Sequence, residues 1–83
     1  MNILPVHPDV EACIARHQLA RKFEKQKRLF EQNPFHPGLE TELLEPRHMR
    51  VWSFRIDKKY RAIFIFHAVH EVEVMSVTNH YHR

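Results

Sequence analysis

Arg55 and Arg61 flank the segment Ile56-Asp57-Lys58-Lys59-Tyr60, Trp52 and Phe54 alternate with them, and the chain closes on Asn79-His80-Tyr81-His82-Arg83. A guanidinium is a planar fork of donors that matches phosphate, an aromatic face stacks on a base, and imidazole moves protons near neutral pH. Together these side chains are what RNA binding and phosphodiester cleavage require. Cleavage without a metal proceeds by attack of a ribose 2′-hydroxyl on its own phosphate. Such a site needs a base, an acid and a cation facing the charge that builds in the transition state.

The totals bound the setting. Eighty-three residues make one domain, 1–83, with a core small enough that a homodimer or a protein partner would add usefully to its stability. At 43% hydrophobic and 28% charged, with a single Gly, the chain is globular and built mostly of regular elements. The formal charge of +3 favours a polyanionic partner. One cysteine, Cys13, excludes an internal disulfide and a Cys-rich zinc site, which fits a reducing compartment and makes the cytoplasm the expected location. No run approaches the roughly 18 apolar residues of a membrane span, and the Pro-rich start is no signal peptide. Histidines 67, 70, 80 and 82 raise the question of a metal, but no Asp or Cys stands at ligand spacing, and Glu71 and Glu73 alternate like an exposed strand face. Neither a metal nor a cofactor is expected.

The elements that must position these groups follow from periodicity. From Asp9 to Gln32 there is no Gly or Pro, and apolar residues recur at helical spacing through Val10, Cys13, Ile14, Leu19, Phe23 and Phe30. Asp9 is the expected N-cap, and Asn33-Pro34 the stop, with Asn33 in the left-handed region. The apolar stripe shifts phase near His17-Gln18, which predicts a break and a helical hairpin. A basic band, Arg16, Arg21, Lys22, Lys25, Lys27 and Arg28, covers its outer face. After the turn residues Pro34, Pro37 and Gly38 the pattern alternates, giving strands over 40–44, 51–56, 60–67 and 72–78, with an edge strand before Pro5 as an addition. Short connections imply antiparallel neighbours.

Register decides which face each group occupies. If Asp57-Lys58-Lys59 is the turn, Arg55 faces Arg61, and Trp52, Phe54, Ile56, Tyr60, Ala62, Phe64 and Phe66 share one apolar face for the helices. A two-residue turn would place Arg61 among those aromatics at a desolvation cost, so the first register is expected.

The order of helical hairpin and meander, with Asn33-Pro34-Phe35-His36-Pro37, Leu43-Leu44, Trp52-Ser53-Phe54-Arg55-Ile56, Tyr60-Arg61 and a His/Tyr-rich end, resembles the RelE/ParE superfamily of bacterial toxins over residues 8–83. The resemblance implies an α+β, RelE-like fold, with an N-terminal helical hairpin packed on a three- to four-stranded antiparallel sheet. It also implies the toxin of a type II toxin–antitoxin module, blocked by a cognate antitoxin. RelE-type members are mRNA interferases that cut on the ribosome, whereas ParE-type members inhibit DNA gyrase.

The stretch from Trp52 to Arg61 is most similar to the YoeB type. Alignment through Trp52 puts that type's general base on Glu42 and its phosphate-stabilising arginine on Arg61. Its penultimate histidine, the general acid, falls on His82, with His80 competing because the last hairpin is longer here. Arg83 replaces the terminal tyrosine, with Tyr81 nearby to stack on a base. Arg55, Lys58, Lys59, Arg47 and Arg50 would attract the RNA backbone. Each has a structural counterpart: Arg61 paired with a carboxylate such as Asp57, Glu42 part of a solvated acidic edge with Glu40 and Glu45, Trp52 and Phe54 in the core. Trp52→Ala is expected to unfold the domain. A gyrase inhibitor, or an inactive relative acting by contact, is the alternative to a ribosome-dependent endoribonuclease.

Overall fold

The computed structural model describes residues 1–79; His80, Tyr81, His82 and Arg83 lie outside the described residues. Two helices occupy the first half, α1 over Pro8–Arg16 and α2 over Ala20–Gln32. The predicted break is a Schellman turn. Gln18 takes a left-handed backbone (φ 57°), its N–H donates to Ala15 O (3.0 Å), and Leu19 N–H donates to Ile14 O (2.8 Å). The flanking pair Ile14 and Leu19 is buried, the apolar contact that closes this motif. The phase shift in the stripe is therefore the sequence trace of this turn.

Both helix ends differ in detail from expectation. The first helical residue is Pro8, preceded by His7 without a side-chain cap, so Asp9 sits inside the first turn rather than at the N-cap. Pro is suited to that position because its missing N–H would go unbonded there, and Asp9 then faces the positive end of the helix dipole. Asn33 is extended (φ −157°, ψ 105°), not left-handed. Pro34 forbids helical geometry to its predecessor, and Asn33 Oδ1 instead accepts the Phe35 N–H at 3.0 Å.

Among the described residues the sheet has five strands rather than three or four: β1 Asn2–Ile3, β2 Glu42–Leu43, β3 Trp52–Arg55, β4 Arg61–Ala68 and β5 Glu71–Thr78, in the order β1-β5-β4-β3-β2. All neighbours are antiparallel except β1, which runs parallel to β5 as the edge strand expected before Pro5. Arg55 pairs with Arg61, the register that keeps both guanidinium groups off the apolar face. Asp57 fixes the turn, since its Oδ1 accepts the N–H groups of Lys59 and Tyr60, each at 2.8 Å. Burial pushes the Asp57 carboxyl up, but those two N–H groups and the Lys22 ammonium (3.1 Å) outweigh it and hold the group below its ordinary value. Tyr60 also packs at a tilt against His17 and shares a hydrogen bond with its Nδ1, which ties this turn to the helical hairpin.

The helices cover one face of the sheet. Phe30, fully buried, packs against Phe54 and Phe64 with ring centroids 5.1 Å away in each case, and Val10, Ile14, Phe23, Val72 and Val74 complete the centre. One polar side chain enters this interface. Gln26, buried on α2, donates from Nε2 to Gly38 O (3.1 Å) and Arg55 O (2.8 Å), joining helix, loop and strand. Gln26→Leu keeps the volume and removes both bonds, so it is expected to cost about 1–3 kcal/mol in urea unfolding; an unchanged midpoint would mean water serves these carbonyls equally well. Among the described residues no helix is long and apolar enough to cross a membrane.

The segment before α1 is pinned to the far edge of the sheet. Asn2 and Leu4 donate to His70 O and Val72 O, and His7 and His67 each donate from Nε2 to one carboxylate oxygen of Glu73 at 2.5 Å. The bond to Glu73 raises His7 above its ordinary 6.5 despite some desolvation, with the charges of Glu73 and Asp9 adding to the rise. The bonds from His7 and His67 lower Glu73 below its ordinary 4.5. A raised imidazole contributes stability that is complete below 6.5 and fades as pH climbs through the raised value. A lowered carboxyl contributes stability that is complete above 4.5 and fades as pH falls through the lowered value. Thermal midpoints of the protein and of Glu73→Gln are therefore expected to differ most between pH 4.5 and 6.5 and to converge on either side. A difference independent of pH would contradict this tie.

Candidate functional site

Strand pairing sets the residues of the helix-free face in rows. Glu42, Ser53, Ile63 and Ser76 lie side by side across four strands, and Arg55, Arg61 and Thr78 form the next row. The polar groups converge on Arg61. Its side chain is only 14% exposed. Nε donates to Ser53 Oγ at 2.9 Å and Nη2 to the Glu40 carbonyl at 2.5 Å, while the carboxylates of Glu42 and Glu40 stand looser, at 3.9 and 4.0 Å. Ser53 is fully buried beneath it. The guanidinium is thus oriented by two neutral acceptors and has two carboxylates within 4.0 Å.

Arg55 joins the cluster through Glu40, Nη1 to Oε2 at 2.8 Å. Lys58 and Lys59, on the β3–β4 turn, line a shallow depression of about 290 Å³ with Glu40, Arg55, Asp57 and Arg61. Of the sequence candidates, then, Arg61, Glu42, Arg55, Lys58 and Lys59 come together. Arg47 and Arg50 do not. Arg47 is exposed and pairs with Glu45 at 3.5 Å, and the Arg50 guanidinium lies 5.7 Å from the centre of the Trp52 ring, a residue of the opposite strand parity. The carboxylate that meets Arg61 is not Asp57, which the turn and Lys22 engage. His80, Tyr81 and His82, the acid and stacking candidates, lie outside the described residues. Thr78, which ends β5, pairs with Arg61.

Two members of the cluster are absent from the sequence reading. Glu40, read as part of a solvated edge, takes a left-handed backbone (φ 47°) that turns its carbonyl and carboxylate toward Arg61 and Arg55. Ser53 stands out only as the one hydroxyl in an aromatic strand, two residues before Arg55 and so on the same face. Among the described residues no group of three or more His, Cys, Asp or Glu side chains is arranged to hold a metal ion.

The chemistry available to this cluster is recognition of a phosphate by Arg61, with Arg55, Lys58 and Lys59 as neighbouring cations, and proton acceptance by Glu42. No family model matches the chain, and no curated protein matches it at a significant level. Solved structures do. A chain of the heterotetrameric YoeB-YefM toxin-antitoxin complex from Staphylococcus aureus superposes with a TM-score of 0.71 at 17% identity, covering 98% of both chains, and a second structure of a YoeB-YefM complex from that organism gives the same values. The YoeB/ParE toxin from Agrobacterium tumefaciens superposes with a TM-score of 0.69 at 23% identity, covering 98% of this chain and all of the other. Over nearly its whole length, the chain has the RelE-like fold of the YoeB and ParE toxins.

Proposed function

We propose that this chain is the toxin of a toxin–antitoxin pair and that it cleaves mRNA on the ribosome. The observation that carries the reading is the Arg61 guanidinium. It is fixed by Ser53 and the Glu40 carbonyl with Glu42 3.9 Å away, on the sheet face that no helix covers. A donor held in place before the substrate arrives stabilises transition-state charge without having to reorganise. Glu42 would take the proton of the ribose 2′-hydroxyl as that oxygen attacks the adjacent phosphorus. Arg61 would hold the non-bridging oxygens, and an acid, His82 or His80 by the resemblance, would protonate the departing 5′-oxygen. The products are a 2′,3′-cyclic phosphate and a new 5′-hydroxyl. The contacts at 3.9 and 4.0 Å are those a phosphate would replace, since they are longer than hydrogen bonds. Positioning of the message by the ribosome would supply part of the barrier reduction. The partner is a cognate antitoxin, by analogy with the YoeB-YefM complex of similar fold.

The bonds from Arg61 to Ser53 and Glu40 also support a second reading, in which the arginine is a structural tie and the protein inhibits by contact, DNA gyrase being the target. One experiment separates the two. New 5′ ends on a defined message, formed only with translating ribosomes and lost in Arg61→Ala, support the nuclease. No new ends under any condition, together with loss of gyrase supercoiling activity, would replace it with the inhibitor.

A further inference from the structure

Away from the Arg61 cluster, an open depression of about 460 Å³ is lined by Phe35, Arg50, Trp52, Phe66, Ala68 and Val69. Two of its walls are large apolar side chains turned to solvent, Phe35 at 56% exposure and Val69 at 78%. Exposed apolar groups gathered around a partly buried Trp, with an Arg beside it, have the composition of a protein-binding hot spot. We propose that this depression receives a partner peptide, which inserts one large apolar side chain beside Trp52 and sets a neighbouring carboxylate on Arg50.

Charge selects the acidic flank. Among the described residues, Arg50 is the one charged residue lining the depression, no carboxylate lines it, and Glu45 is already paired with Arg47. The Arg50 side chain is held over the indole by a backbone in the left-handed region (φ 55°), which a non-glycine residue adopts only at a cost. Shape selects an apolar side chain over a nucleobase. Phe35 meets Trp52 at 73° and Phe66 meets it at 82°, so neither ring lies parallel to the indole to sandwich a base against it. A guanidinium already lies over the indole, where a base would have to stack. The proposal stands whether or not the chain cleaves RNA; if the chain is a toxin, its antitoxin is the natural carrier of such a segment.

Trp52 is the only tryptophan, so its emission reports on this depression alone. The experiment pans a displayed random-peptide library on the protein, then titrates the synthesised winners while following Trp52 emission and, separately, affinity for Arg50→Gly and Phe35→Ala. Glycine suits the backbone at position 50 and Phe35 is exposed, so both variants should keep the parent circular dichroism. The expected winners carry a large apolar residue within two positions of an Asp or Glu, shift the emission to the blue, and bind each variant about tenfold more weakly. Overturning results are winners without acidic residues, winners that bind both variants like the parent, or no enrichment over the double variant. A short single-stranded RNA that shifts the emission and loses affinity in Arg50→Gly would also overturn it, by making RNA the occupant. Cleavage of message plays no part in these readouts, so failure here is distinguishable from failure of the nuclease reading.

Discussion

Under the proposed nuclease reading, Arg61→Ala is expected to lower ribosome-dependent cleavage by about 100- to 1,000-fold, the range seen when one preorganised donor to a transition-state oxyanion is removed. The same substitution should cost about 1–3 kcal/mol in unfolding, because buried Ser53 Oγ and the Glu40 carbonyl lose their donor. Urea titration beside 5′-end mapping separates the two effects, since a folded but inactive variant is the expected product. Arg61→Lys sharpens the argument. It keeps the charge but cannot reproduce the fork that spans Ser53 and Glu40, so it should recover stability only in part and activity poorly. Full activity in the lysine variant would show that charge alone suffices, and full activity in the alanine variant would remove Arg61 from the reaction altogether.

The other large effect lies in the core. Phe54→Ala removes a fully buried ring that packs on Phe23, Phe30 and Phe64 at once. A Phe→Ala cavity costs about 3–5 kcal/mol, and a domain of this length has only about 4–12 kcal/mol to lose. The variant is expected to be largely unfolded at 37 °C by far-UV circular dichroism, or at best to show a sharply lowered urea midpoint. Trp52→Ala, which the sequence marks as the unfolding substitution, should be milder, because Trp52 is only partly buried and forms a wall of an open depression. If Trp52→Ala proves the more damaging of the two, the indole carries more of the core than its exposure indicates.

What was legible in the sequence was whatever strict periodicity or a steep desolvation cost dictates. The Arg55–Arg61 register follows from keeping a guanidinium away from Trp52 and Phe54, and the structure has that register. The hairpin break follows from the phase shift of the apolar stripe, though Gln18 carries no Gly-like signal for the left-handed position it holds. Asn33 was misread because its own tolerance of the left-handed region was weighed above the steric demand of Pro34. In the site, Arg61 and Glu42 were reached by resemblance, whereas Glu40 was passed over. A loop residue shows its role only once a turn aims both its carbonyl and its carboxylate, and nothing in the pattern Leu39-Glu40-Thr41 encodes that. Arg50 illustrates the converse, a cation counted toward RNA by composition and placed by the fold against an indole instead.

The parallel pairing of β1 with β5 has a consequence for the order of events during synthesis. Asn2 is made well before its strand partner, Glu71. At about 5–20 residues per second, the opening strand waits roughly 3–14 s for the segment that completes it. The aromatic centre waits as well, since Phe30 on α2 needs Phe54 and Phe64 from later strands. Both closures wait for later strands, so the Arg61 row, which includes Thr78, is assembled only after β5 has been made. A nascent copy therefore carries no completed Arg61 row until β5 has emerged from the ribosome.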